Sequence, residues 1–121
     1  MDSIIIYLVF LVIAYLFDYW TAEIFAKRNW KAFRQYEQNK SLVWHREQEL
    51  ATQNKGFMRG FNMSQAFTIL FSSLLIGYIC KIYFNVSLLS GMKVFLLAQI
   101  ITNFIGTLFN TLAIYKYKEV K

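Results

Sequence analysis

The sequence predicts an all-α integral membrane protein with three transmembrane helices, and three observations carry that prediction. The chain of 121 residues is 57% hydrophobic, with 12 Phe, 8 Tyr and 3 Trp, above the roughly 45–50% usual for soluble domains. Its mean hydropathy of +0.36 leaves too few polar residues to coat the roughly one third of chain surface that a soluble domain of this size keeps exposed. Three apolar runs reach bilayer length, and the Lys and Arg residues that separate them fall mainly on one side. All of residues 1–121 form one membrane domain on this reading.

The first span, residues 4–25, is interrupted only by Asp18 and Glu23. At 1.5 Å per residue it covers roughly 33 Å, enough to cross the hydrocarbon layer. It has neither the basic leader nor the small-residue cleavage site of a signal peptide, so it is expected to stay in the mature chain. The second span, residues 60–80, and the third, residues 94–115, contain no charged residue. The connection between them is short, so they form a hairpin.

Residues 26–59 form a basic loop that is partly helical. The first span is expected to continue past the membrane until Asn39-Lys40-Ser41, Ser41 then capping a short helix that ends at Asn54-Lys55-Gly56. This loop carries eight of the basic residues, from Lys27 to Arg59, and the tail adds Lys116, Lys118 and Lys121. Cationic loops are retained in the cytoplasm, so the N-terminus, with Asp2, is expected outside and the C-terminus inside. Lys27, Arg28, Trp30, Lys31 and Arg34 have the mixture of cations and amphipathic rings that suits anionic lipid headgroups on the cytoplasmic side. The same mixture could stack and neutralise single-stranded nucleic acid. Between two apolar spans, topology and headgroups explain it, and no nucleic acid is expected.

Polar residues inside the spans are the candidate functional groups. In the third span Gln99, Asn103, Thr107 and Asn110 recur at intervals of three and four on one helical face. That face must meet another helix or an aqueous cavity, because amides pointing at lipid tails would lose their hydrogen bonds. In the second span Ser73 and Gly77 form a small-x-x-x-small pair for close helix packing, Gly106 serves the same purpose in the third, and Ser64, Thr68 and Ser72 make an adjacent row.

Asp18 lies roughly 13 Å into the first span from Lys27. A carboxylate at that depth costs about 3 kcal/mol on insertion scales, so it should face the bundle, with its donors on the third helix near Asn103 or Asn110.

Catalysis is not expected. His45, Glu47 and Glu49 make a poor metal set, Cys80 is alone, and no catalytic triad, phosphate loop or cofactor motif occurs. The chain is expected to be a non-catalytic accessory or regulatory subunit of a larger membrane complex, without cofactor, bound to other membrane proteins or to itself. Its location would be a multi-pass position in the plasma or inner membrane if the host is prokaryotic. The alternatives are a self-associating small transporter or channel using Asp18 and the third-span stripe, or a membrane immunity or exclusion protein.

In size, three spans and an inner polar loop the chain resembles the small membrane subunits of respiratory complex I, whose later helices carry acidic residues absent here. Its first-span carboxylate, Asp18, is a point of likeness to small multidrug transporters, which have four spans. Its aromatic, lysine-rich style is similar to that of small immunity and superinfection-exclusion proteins. No diagnostic motif selects one of these.

Overall fold

The computed structural model describes residues 3–37 and 39–117. Asp2, Lys118 and Lys121, which bear on the expected charge asymmetry, lie outside the described residues. The described chain is all-helical: α1 (Ser3–Arg28), α2 (Trp30–Tyr36), α3 (Lys40–Thr52), α4 (Gly56–Phe84) and α5 (Leu88–Lys116). α1, α4 and α5 are long and apolar enough to cross a membrane.

α4 and α5 run past the expected 60–80 and 94–115. The charges taken as span limits, Arg59, Lys81 and Lys93, sit inside the helices. A helix ends where its backbone bonds end, and with no Pro in the chain nothing forces a stop at the lipid boundary. Each helix covers roughly 43 Å, the full bilayer with its headgroups. Asn85, in the left-handed conformation at φ 54°, closes α4. Ser87 opens α5 by accepting the Ser90 N–H at 3.1 Å.

α5 is the central helix, with α1 and α4 each packed along it. Away from the loop end, the α1–α5 seam is filled by Leu11, Ala14, Leu96 and Ile100. α4 approaches α5 most closely at Gly77 and Gly91. An ideal Cβ at Gly91 would sit 2.9 Å from the Gly77 Cα, and one at Gly77 would sit 2.8 Å from the Leu88 carbonyl oxygen.

The basic loop is a packed cap at the other end of the bundle. α1 stops at Arg28 because Asn29, with φ −151°, breaks the helix and accepts the Ala32 N–H at 3.0 Å to start α2. Asn39, in the place expected of Ser41, caps α3 by accepting the Leu42 N–H at 3.2 Å. α3 ends on Gln53 at φ 58°, and Gly56, expected to terminate it, instead begins α4. Asn54 accepts the Gly56 N–H at 2.9 Å, so the reversal comes from a carboxamide turn ahead of the glycine. Ala22, Phe25, Phe33, Leu42, Val43, Met58 and Phe61 close a second apolar core beneath the cap. Tyr117, at the C-terminal end, stacks on Phe25 and Tyr36 at 5.8 and 5.2 Å.

Arg46 ties the cap to the bundle. Its guanidinium, in a residue only 8% exposed, lies 3.7 Å from Glu23 of α1 and 3.6 Å from Glu49 of α3. Lys27 adds an exposed contact to Glu23 at 3.5 Å, worth little by itself. Removing this buried cation leaves Glu49 without a charge partner and Glu23 with only the exposed Lys27. Arg46→Ala should therefore loosen α3, and limited trypsin digestion should cut at Lys40 or Lys55 several times faster than in the parent. Unchanged cleavage would show that apolar packing alone holds the cap.

Candidate functional site

Asp18 sits where α1 crosses α5, on the surface of Gly106. A Cβ at Gly106 would lie 2.6 Å from Asp18 Oδ1 and 3.0 Å from Oδ2, so the missing side chain is what admits the carboxylate. One turn further along α5, the Asn110 amide donates to Asp18 Oδ1 at 3.0 Å, to the Asp18 carbonyl at 3.2 Å and to Thr21 Oγ1 at 3.2 Å. Thr21 in turn donates to the carbonyls of Phe17 and Asp18, at 2.8 and 3.1 Å. Among the described residues none donates a hydrogen bond to Asp18 Oδ2.

The stripe on α5 divides by function. Asn110 reaches across to α1, whereas Asn103 donates to the Gln99 carbonyl of its own helix at 2.8 Å. Thr107 donates to the Asn103 carbonyl at 2.9 Å and Thr111 to the Thr107 carbonyl at 2.8 Å. Such i−4 bonds satisfy a hydroxyl without another helix. Asn103 and Asn110 are 9% and 8% exposed. Asn103 and Asn110 are thus buried within the bundle, and Thr107 and Thr111 are bonded along their own helix.

Asn103 and Gln99 instead line a polar cleft of about 100 Å³ between α1, α4, α5 and the α2–α3 linker. Tyr15, Asp18 and Tyr19 form its α1 wall, Gln65 its α4 wall, and Glu37 and Asn39 close it at the linker. Asn39 takes a backbone bond to Glu37 Oε1 at 3.2 Å. Among the described residues no Lys, Arg or His lines the cleft. Among the described residues no three His, Cys, Asp or Glu side chains cluster to hold a metal ion.

Next to the cleft lies an apolar groove of about 220 Å³ between α1 and α4, walled by Leu8, Leu11, Val12, Ala66, Ile69 and Leu70. The Tyr15 hydroxyl donates to Asn62 Oδ1 at 2.6 Å and bridges the two helices at the groove's edge.

The other singled-out residues fall in different places. Ser73 is 1% exposed and, with Gly77, lies on the α4–α5 seam. Lys27, Lys31 and Arg34 are exposed. Arg28 donates to the Tyr117 carbonyl at 3.2 Å, and Trp30 stacks on Phe33 at 5.5 Å, so both serve the cap's interior. Gln65, Glu37 and Gly91 escaped the sequence reading. Gln65 could have been found as one of two carboxamides in the second span. Gly91 could have been found as the residue lying as far beyond Phe84 as Gly77 lies before it. Glu37 has no signal in sequence, because only the fold of the cap brings it to Asp18's cleft.

No known protein family, curated protein or solved structure matches the chain.

Proposed function

We propose that this chain is a small, non-catalytic, multi-pass membrane protein, N-terminus outside and C-terminus inside, that serves as an accessory or regulatory subunit of a larger membrane complex. The observation that carries the reading is the outward face of α4. Ser64, Thr68 and Ser72 lie at spacing four along a helix of bilayer length, and none of their hydroxyls makes a hydrogen bond, whereas Thr21, Thr102, Thr107 and Thr111 all bond a carbonyl of their own helix. Ser64 and Thr68 are exposed. Small hydroxyl residues in a row let a neighbouring helix approach closely and bond to it.

Asn103 and Asn110 of the α5 stripe are buried in the bundle, so the partner face proposed here is that of α4. Transport through a single copy is disfavoured by the apolar filling of Leu11, Ala14, Leu96 and Ile100, which leaves no polar route beyond the cleft. On the inner side, Lys27, Lys31 and Arg34 would meet anionic headgroups.

The test is a photo-crosslinking residue placed at Thr68 or at Asn103 in native membranes. Thr68 should give a discrete adduct with another membrane protein and Asn103 none. A chain that stays monomeric in mild detergent, yields no Thr68 adduct and still supports its phenotype would sink the subunit reading.

A further inference from the structure

The polar cleft and the apolar groove share Tyr15 and Ile69 in their walls, so they adjoin each other. The groove exists because α1 and α4 each pack on α5 and meet each other mainly through the Tyr15–Asn62 bridge. We infer that the adjoining cleft and groove bind a single-chain amphiphilic amine, with its ammonium head in the cleft between Asp18 and Glu37 and its hydrocarbon tail along the groove between α1 and α4. The binding is separate from the subunit role, which rests on the opposite features of α4.

Charge selects the head. Asp18 and Glu37 face one cleft that contains no basic side chain among the described residues, in a chain whose formal net charge is +6. A cation is the missing partner. An ammonium group carries three donors. Among the described residues Asp18 Oδ2 accepts nothing from the chain, the Asn103 amide is engaged only through its nitrogen, and the side-chain amides of Gln65 and Gln99 make no hydrogen bond. Acceptors for all three protons are therefore present. A divalent metal lacks its ligand set. A phospholipid headgroup brings a phosphate, for which the lining has no cation.

Hydrocarbon selects the tail. The groove's side chains, Leu8, Leu11, Val12, Ala66 and Leu70, offer no polar group apart from the bridge, so an alkyl chain can lie along this open groove while its head is held. A neutral alcohol of the same length would fill the groove and leave both carboxylates unmatched, which makes it the discriminating control.

The experiment uses the full chain in phosphatidylcholine nanodiscs, titrated with decylamine by isothermal calorimetry, with empty discs subtracting simple partition. Saturable binding is expected for decylamine and none above partition for decanol. Asp18→Asn should weaken decylamine about tenfold by removing the deeper charge. Ala66→Trp, which fills the groove, should weaken it to a similar degree. Glu37→Gln lies on the linker outside the spans and remains readable if Asp18→Asn does not fold. Far-ultraviolet circular dichroism and a thermal unfolding midpoint matching the parent qualify each variant.

Decanol binding as tightly as decylamine, no saturable heat above empty discs, or folded Asp18→Asn and Ala66→Trp proteins that bind like the parent would each overturn the assignment. Competition by phosphatidylethanolamine doped into the discs would also overturn it, by moving the occupant from a free amine to a lipid. Loss of the Thr68 adduct leaves these titrations untouched, so the two proposals fail separately.

Discussion

Gly91→Leu should pull α4 away from α5 and remove about 2–3 kcal/mol of stability, as overpacking of a well-filled interface does. The magnitude follows from what the new side chain meets. An ideal Cβ at Gly91 lies 2.9 Å from the Gly77 Cα, and backbone cannot rotate away as a side-chain tip can. On the opposite helix, the Gly77 position is bounded by the Leu88 carbonyl oxygen at 2.8 Å, so the whole hairpin would have to splay. Lipid tails solvate Leu as well as a neighbouring helix does, and close packing is then a main source of helix association. Gly60→Leu is the matched control, because nothing lies within 4 Å of a Cβ there. Unfolding midpoints in mixed micelles, with a distance probe between α4 and α5, would separate the two. Equal midpoints would mean that the Gly77–Gly91 contact does not hold the hairpin.

The second large effect is expected from Asn110→Ala. One amide nitrogen lies within bonding distance of a carboxylate oxygen, a backbone carbonyl and a hydroxyl, and its removal takes the donor from Asp18 Oδ1 while the carbonyl keeps Thr21. A typical hydrogen bond between membrane helices contributes about 0.6 kcal/mol. This one should contribute about 1–3 kcal/mol, because its acceptor is charged and removal strands a polar group away from water. A double-mutant cycle with Asp18→Ala isolates the pair, and a coupling of about 1–2 kcal/mol is expected for groups in direct contact. Additive losses would show that Asp18 is held by Gly106 and Thr21 without help from Asn110.

Much of the architecture was legible along the chain. The spans could be read because apolar length is a local property, and the hairpin because Lys81 and Lys93 leave little room between two runs. The depth of Asp18 and the three-and-four spacing of the α5 amides were also visible. The cap was not. Asn29 and Asn39 both cap helices, yet the run from Ala26 to Gln35 is rich in helix formers and no glycine or proline marks the break. Which asparagine bends the chain depends on Phe25, Phe33 and Tyr117 meeting beneath it, a contact between residues far apart in sequence.

The sequence by itself determined the solvent: apolar runs of this length leave lipid as the medium around three helices, and that follows from transfer free energy added residue by residue. Only the tertiary structure decided which faces meet. Gly106 beside Asp18, Gly91 against Gly77, and Glu37 swung over the cleft are pairings of residues on different elements, set by how closely two backbones can approach. Periodicity places a residue on a face of its own helix. It holds no information about the rotation of the neighbour, and it is that rotation which turned the α5 stripe inward and left the hydroxyl row of α4 outside.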